Sequence, residues 1–127
     1  MAKTIAVDFD GVIHAYSKGW QDGKIYDPPV HGVREALQTF LNDGYEIVIY
    51  TTRADDREIN GVMQSGQYEE VVQYLSSYAI PYTRVHRGAG KPLCKLFIDD
   101  NALRFEGDWP ATLAQANAIL NRPIARG

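Results

Sequence analysis

The chain has 127 residues, 45% of them apolar and 23% charged, with a formal net charge of −3. This is enough apolar material for a packed core and argues against a disordered chain. The acidic balance disfavours a protein that lives on nucleic-acid backbone. The single cysteine, Cys94, excludes an intramolecular disulfide and fits a reducing compartment; its expected place is that of a small buried apolar residue.

Residues 4–7 form a short apolar run that ends in Asp8-Phe9-Asp10-Gly11, the pattern of a buried strand entering a loop. The run is too short for a secretory signal, and acidic residues follow it at once. No apolar stretch approaches membrane-spanning length, so a soluble cytoplasmic protein is expected. A polar stretch with Gly19, Trp20, Gly23 and Pro28-Pro29 comes next. Val33, Ala36, Leu37, Phe40 and Leu41 then recur at helical spacing, with Gly44 as the stop. Tyr45 to Tyr50 reads as a second strand, closed by Thr51-Thr52-Arg53. After a polar segment, Tyr68, Val71, Val72, Leu75 and Ala79 mark a second helix that ends before Pro81. Tyr82 to His86 is a short strand, and residues 87–92 are a loop. Leu96-Phe97-Ile98 is a further strand, delivering Asp99-Asp100-Asn101. Pro110 opens a last helix, with Leu113, Ala116, Ile119 and Leu120 expected inward.

Strands that alternate with helices imply an α/β domain with a central parallel sheet covered on both faces. Ligands of such sheets bind beyond the carboxyl ends of the strands. Three of the predicted strands end there in Asp8/Asp10, Thr51/Thr52 and Asp99/Asp100, and Lys91 lies in the loop before the last.

These residue types suit phosphoryl transfer, which needs a cation to screen the phosphate, donors for its oxygens, an in-line nucleophile and a proton for the leaving group. Asp8 and Asp99 are hard oxygen ligands, and magnesium needs only one or two carboxylates beside its waters. Asp8 can attack phosphorus to form an aspartyl-phosphate. Asp10 can protonate the leaving oxygen and later deprotonate the attacking water. Thr51 or Thr52 can donate a hydroxyl to a phosphate oxygen, and Lys91 can neutralise both nucleophile and phosphate.

The residues that carry this reading resemble the motifs of the haloacid dehalogenase superfamily. AVDFDGVI is similar to the first motif, EIVIYTT to the second, the lysine of GAGKP to the third and LFIDD to the fourth, in family order from Ala6 to Asp100. The resemblance implies a three-layer α/β/α Rossmann-like core and a phosphatase using Mg2+. It implies that Asp8 is nucleophile and metal ligand, and that Asp10 is the acid/base and gives its backbone carbonyl to the metal. Thr51, with Thr52 as competitor, becomes the phosphate-binding hydroxyl. Lys91 becomes the motif lysine, with Lys95 as the competing position. Asp99 becomes the second metal carboxylate, and Asp100 a water-mediated or second-shell ligand. An acid at position 10 is similar to the phosphatases and phosphomutases of the superfamily. The stretch Gly11 to His31 is long enough for a flap and not for a cap domain, so the chain resembles the capless branch. An open site of that kind suits a small phosphorylated substrate, a bulky one or a homo-oligomer that covers it.

Rival readings are a binding or regulatory protein that keeps fold and metal without useful turnover, and a phosphatase for nucleotides or polynucleotide ends. The group Arg53, Arg57, Arg84, Arg87 and Lys95 bears on the second of these, either as extra anion-binding charge or as solvated surface. A P-loop is excluded because Pro92 follows Lys91. A two-component receiver is set aside because Asp-x-Asp comes first in the chain and Asp-Asp follows the lysine. His14, His31 and His86 lack metal-ligand spacing, although His14 is close enough to the first motif to touch substrate. Trp20 can stack on a substrate ring or pack over the sheet edge.

Overall fold

A computed structural model describes residues 3–88 and 90–121, excepting the side chains of Arg57, Ile59 and Gln64. The chain runs β1 (Thr4–Asp8), α1 (Val33–Asn42), β2 (Glu46–Tyr50), β3 (Arg57–Ile59), β4 (Val62–Gln64), α2 (Tyr68–Ser77), β5 (Arg84–Val85), β6 (Leu96–Ile98) and α3 (Trp109–Leu120). Four strands form one parallel sheet in the order β5-β2-β1-β6. The expected alternation and parallel sheet are therefore present. The chain winds outward from β1 through β2 to β5, then returns to the other side of β1 for β6. The change of direction lies between β1 and β6, where open α/β sheets place their ligands.

Period-2 alternation sets the core. Ile5 and Val7, Ile47 and Ile49, and Val85 share one sheet face and join Leu37 of α1 and Val71, Tyr74 and Leu75 of α2 in one buried cluster. Helix α1 stops as its pattern predicts: Gly44 takes a left-handed φ of 91° and donates to the Leu41 carbonyl.

Three features depart from the sequence expectations. The segment before α2 contains an antiparallel hairpin, β3 with β4, turned by Asn60-Gly61 at φ 52° and 79°. That pair is the preferred type I′ turn chemistry. Cys94 is half-buried, not buried. Helix α3 forms, capped by the Asp108 carboxylate on the Ala111 N–H, but buries none of its residues. Leu113 is 62% exposed and Leu120 76%. Among the described residues, the connection from β5 to β6 contains no helix. Leu96 and Phe97 of β6 are exposed as well. No helix among the described residues is long and apolar enough to cross a membrane.

Candidate active site

The site begins with strand register. Asp8 pairs with Tyr50 and Val7 with Ile98, so Thr51 and Asp99 emerge next to the end of β1. The carboxylates of Asp8, Asp99 and Asp100 offer oxygens that all lie within 4.8 Å of one another. Asp8 is half-buried, and burial pushes its carboxyl up from 3.8 to about 7; the negative charges of Asp99, Asp100 and Asp10 push the same way, against a hydrogen bond from the Phe9 N–H. The Phe9 bond is 2.8 Å, and Asp99 accepts the Asn101 N–H at 2.7 Å. Three carboxylates this close together could hold a metal ion. Asp100 stands with Asp8 and Asp99 in this set.

Asp10 belongs to a different arrangement. Gly11, at φ 83°, turns the chain sharply, and the Phe9 carbonyl accepts the N–H groups of Val12, Ile13 and His14. The turn brings His14 back onto Asp10. His14 is fully buried among Phe9, Tyr16, Tyr26 and Tyr74. Its Nε2 accepts the Asp27 N–H at 3.1 Å, so Nδ1 carries the proton and donates to Asp10 Oδ1 at 2.8 Å. Arg53 Nε donates to the other oxygen, Oδ2, at 2.7 Å. Burial raises the Asp10 carboxyl, but the bonds from His14 and Arg53 and the Arg53 charge outweigh it and hold the group below the usual carboxylate range. Asp10 is therefore ionised near neutral pH. It is ready as a base, and it needs a proton from elsewhere before it can act as an acid.

Arg53 also ties down the flap. Its Nη1 donates to the Gly23 carbonyl at 2.7 Å and to Gln67 Oε1 at 2.8 Å, and Gln67 Nε2 donates to the same carbonyl. Gln67 is held in turn by its N–H on the Arg53 carbonyl. That approach depends on Gly66, where a Cβ would lie 2.6 Å from the Asp55 carbonyl oxygen. Trp20 covers the guanidinium at 5.0 Å and is 54% exposed. It stacks on Arg53.

Thr51 is buried, and its Oγ1 accepts the Arg53 N–H at 3.2 Å. The hydroxyl proton remains available for another acceptor. Thr52 is exposed in the turn that follows. Lys91 is exposed, with Nζ 5.5 Å from the centre of the Phe97 ring. Lys95 is exposed immediately before β6. Of the remaining basic residues, Arg87 stacks on Tyr68 at 4.3 Å, Arg84 is exposed, and the Arg57 side chain lies outside the described set. His31 is exposed, and His86 Nε2 lies 3.0 Å from the Gly90 carbonyl oxygen. A groove of about 1000 Å³ between the flap and α2 is lined by Tyr26, Gln67, Glu70, Tyr74 and Tyr78 among others. It includes none of the four aspartates.

The residues that sequence reasoning placed least well are His14 and Arg53. The spacing of Asp10 and His14 was a usable signal only with the loop geometry in hand. The partnership of Arg53 with Asp10 joins positions 43 residues apart and had no local signal. Compared with known proteins, the chain matches no family model, no curated protein and no solved structure.

Proposed function

We propose that the protein is a magnesium-dependent phosphomonoester hydrolase of the haloacid dehalogenase type, working through an aspartyl-phosphate on Asp8. The observation that carries this reading is the meeting of Asp8, Asp99 and Asp100 at the sheet's switch point, with Thr51 at the end of the neighbouring strand β2. Clustered carboxylates repel unless a cation joins them, and a hydroxyl at the adjoining strand end can supply a donor for phosphate.

Asp8, Asp99 and Asp100 would hold the magnesium ion, which supplies charge screening for the phosphoryl oxygens. Asp8 attacks phosphorus, and the ester oxygen leaves on the Asp10 side. Asp10, ionised in the free site, must be protonated for that departure. A phosphomonoester brings the proton in its monoanionic form, since its second pKa is about 6. Asp10 then serves as base for the water that hydrolyses Asp8-phosphate. Thr51 Oγ1 donates to a phosphoryl oxygen. Lys91 adds positive charge once its side chain turns from Phe97 towards the site.

A second reading, a phosphate- and metal-binding protein of the same fold that turns over little, is favoured by one observation: His14 and Arg53 keep Asp10 in the form that cannot donate a proton. Hydrolysis of 4-nitrophenyl phosphate, with magnesium and with EDTA, separates the two. The hydrolase reading predicts magnesium-dependent turnover that falls by about 10³-fold or more in Asp8→Asn, with the far-UV spectrum unchanged. Stabilisation by magnesium without turnover supports the binder.

A further inference from the structure

This inference rests on the hydrolase reading and concerns the leaving group. Arg53 is 4% exposed and its charge is matched by Asp10. Its Nε and Nη1 are engaged, while Nη2 is buried and has no hydrogen-bond partner. Native proteins leave few buried donors unpaired, and a donor without a partner next to a reactive group calls for a ligand. The geometry of the guanidinium fixes where that ligand lies. Its Nε–H and one Nη2–H point the same way along one edge, the fork that often grips both oxygens of a carboxylate. Asp10 presents only Oδ2 to this edge, because Oδ1 is turned to His14. The second tooth of the fork is thus left over beside Asp10, the side from which the ester oxygen leaves. Trp20, which is 54% exposed, lies over the face of this guanidinium.

We propose that Arg53 is a substrate-binding residue whose free Nη2–H donates to a leaving-group oxygen adjacent to the ester oxygen, so that the site selects phosphomonoesters of polyhydroxy compounds over plain alkyl phosphates. Selection follows because a leaving group without that oxygen keeps a buried donor unpaired in the complex. The Asp10–Arg53 contact then aligns acid and leaving group together, and the flap carbonyl of Gly23 keeps the guanidinium from turning away.

The test uses a near-isosteric pair, 2-hydroxyethyl phosphate and propyl phosphate, in which a hydroxyl replaces a methyl. The full chain with magnesium is expected to favour the hydroxylated ester by at least about tenfold in kcat/KM. In Arg53→Lys, which keeps the charge and loses the fork, the ratio should collapse towards one. In Arg53→Ala, added guanidinium ion should restore part of the ratio, which a purely structural role for Arg53 does not predict. A wild-type ratio near one, as when a water fills Nη2 throughout, overturns the inference while leaving the hydrolase reading intact. It needs no variant to fold. Absence of hydrolysis for both esters and for 4-nitrophenyl phosphate overturns the hydrolase reading itself.

Discussion

Two aspartates, separated by one residue, lie in opposite electrostatic settings. Asp8 faces two further carboxylates and is pushed up to about 7. Asp10 is gripped on both oxygens by donors and pushed down. The backbone explains how neighbours diverge. Asp8 ends β1 in register with its flanking strands, so it meets what β6 delivers. Asp10 lies past the end of β1, just before the turn at Gly11, so it meets the flap and the segment after β2. The comparison teaches that an Asp-x-Asp sequence is two sites: one short of positive charge, the other already supplied with it.

The largest effect expected from breaking this division is chemical. Asp10→Asn should slow breakdown of the phosphorylated intermediate by about 10²–10⁴-fold, the usual worth of a positioned base. A burst of nitrophenolate followed by slow turnover in stopped-flow would show it. Next in size is the support behind Asp10. His14→Ala removes a fully buried ring, its bond to Asp10 and the acceptor for Asp27. A loss of roughly 3 kcal/mol in urea unfolding is expected, with lower activity in the part that stays folded.

A smaller effect separates the two aspartates by sign. The folded-state value of Asp8 is raised, so between 3.8 and about 7 the folded protein keeps a proton that the unfolded chain has lost. Metal-free stability should therefore fall as pH rises through that window. Asp10 acts the other way: its folded value is lowered, so its contribution is present above 3.8 and is lost as pH falls through the folded value. Urea unfolding in EDTA across this range, for wild type and Asp8→Asn, checks the sign. The variant should show a weaker decline towards neutral pH, and magnesium should remove the decline from wild type. An unchanged slope in the variant would assign the decline to another group.

Much of the scaffold was legible in the sequence. β-Branched runs gave the central strands, 3.6-residue spacing gave α1 and α2, and the strand ends located Asp8, Thr51 and Asp99. What stayed hidden depends on tertiary contact. The apolar side of α3 was readable, but a pattern cannot say what covers it, and Leu113 and Leu120 face solvent. The hairpin carried its signal in Asn60-Gly61, but its strands are too short for alternation to show. The Arg53–Asp10 contact needed the flap, Gly66 and Gln67 in place before it could be seen.

The central claim is that Asp8 carries the phosphoryl group. The most direct measurement is borohydride trapping during turnover of 4-nitrophenyl phosphate by Asp10→Asn, where the intermediate should accumulate, followed by mass spectrometry. Reduction of an aspartyl-phosphate yields homoserine. The account predicts homoserine at position 8, dependent on both substrate and magnesium. Turnover with position 8 unmodified, or with the label on another residue, would contradict it.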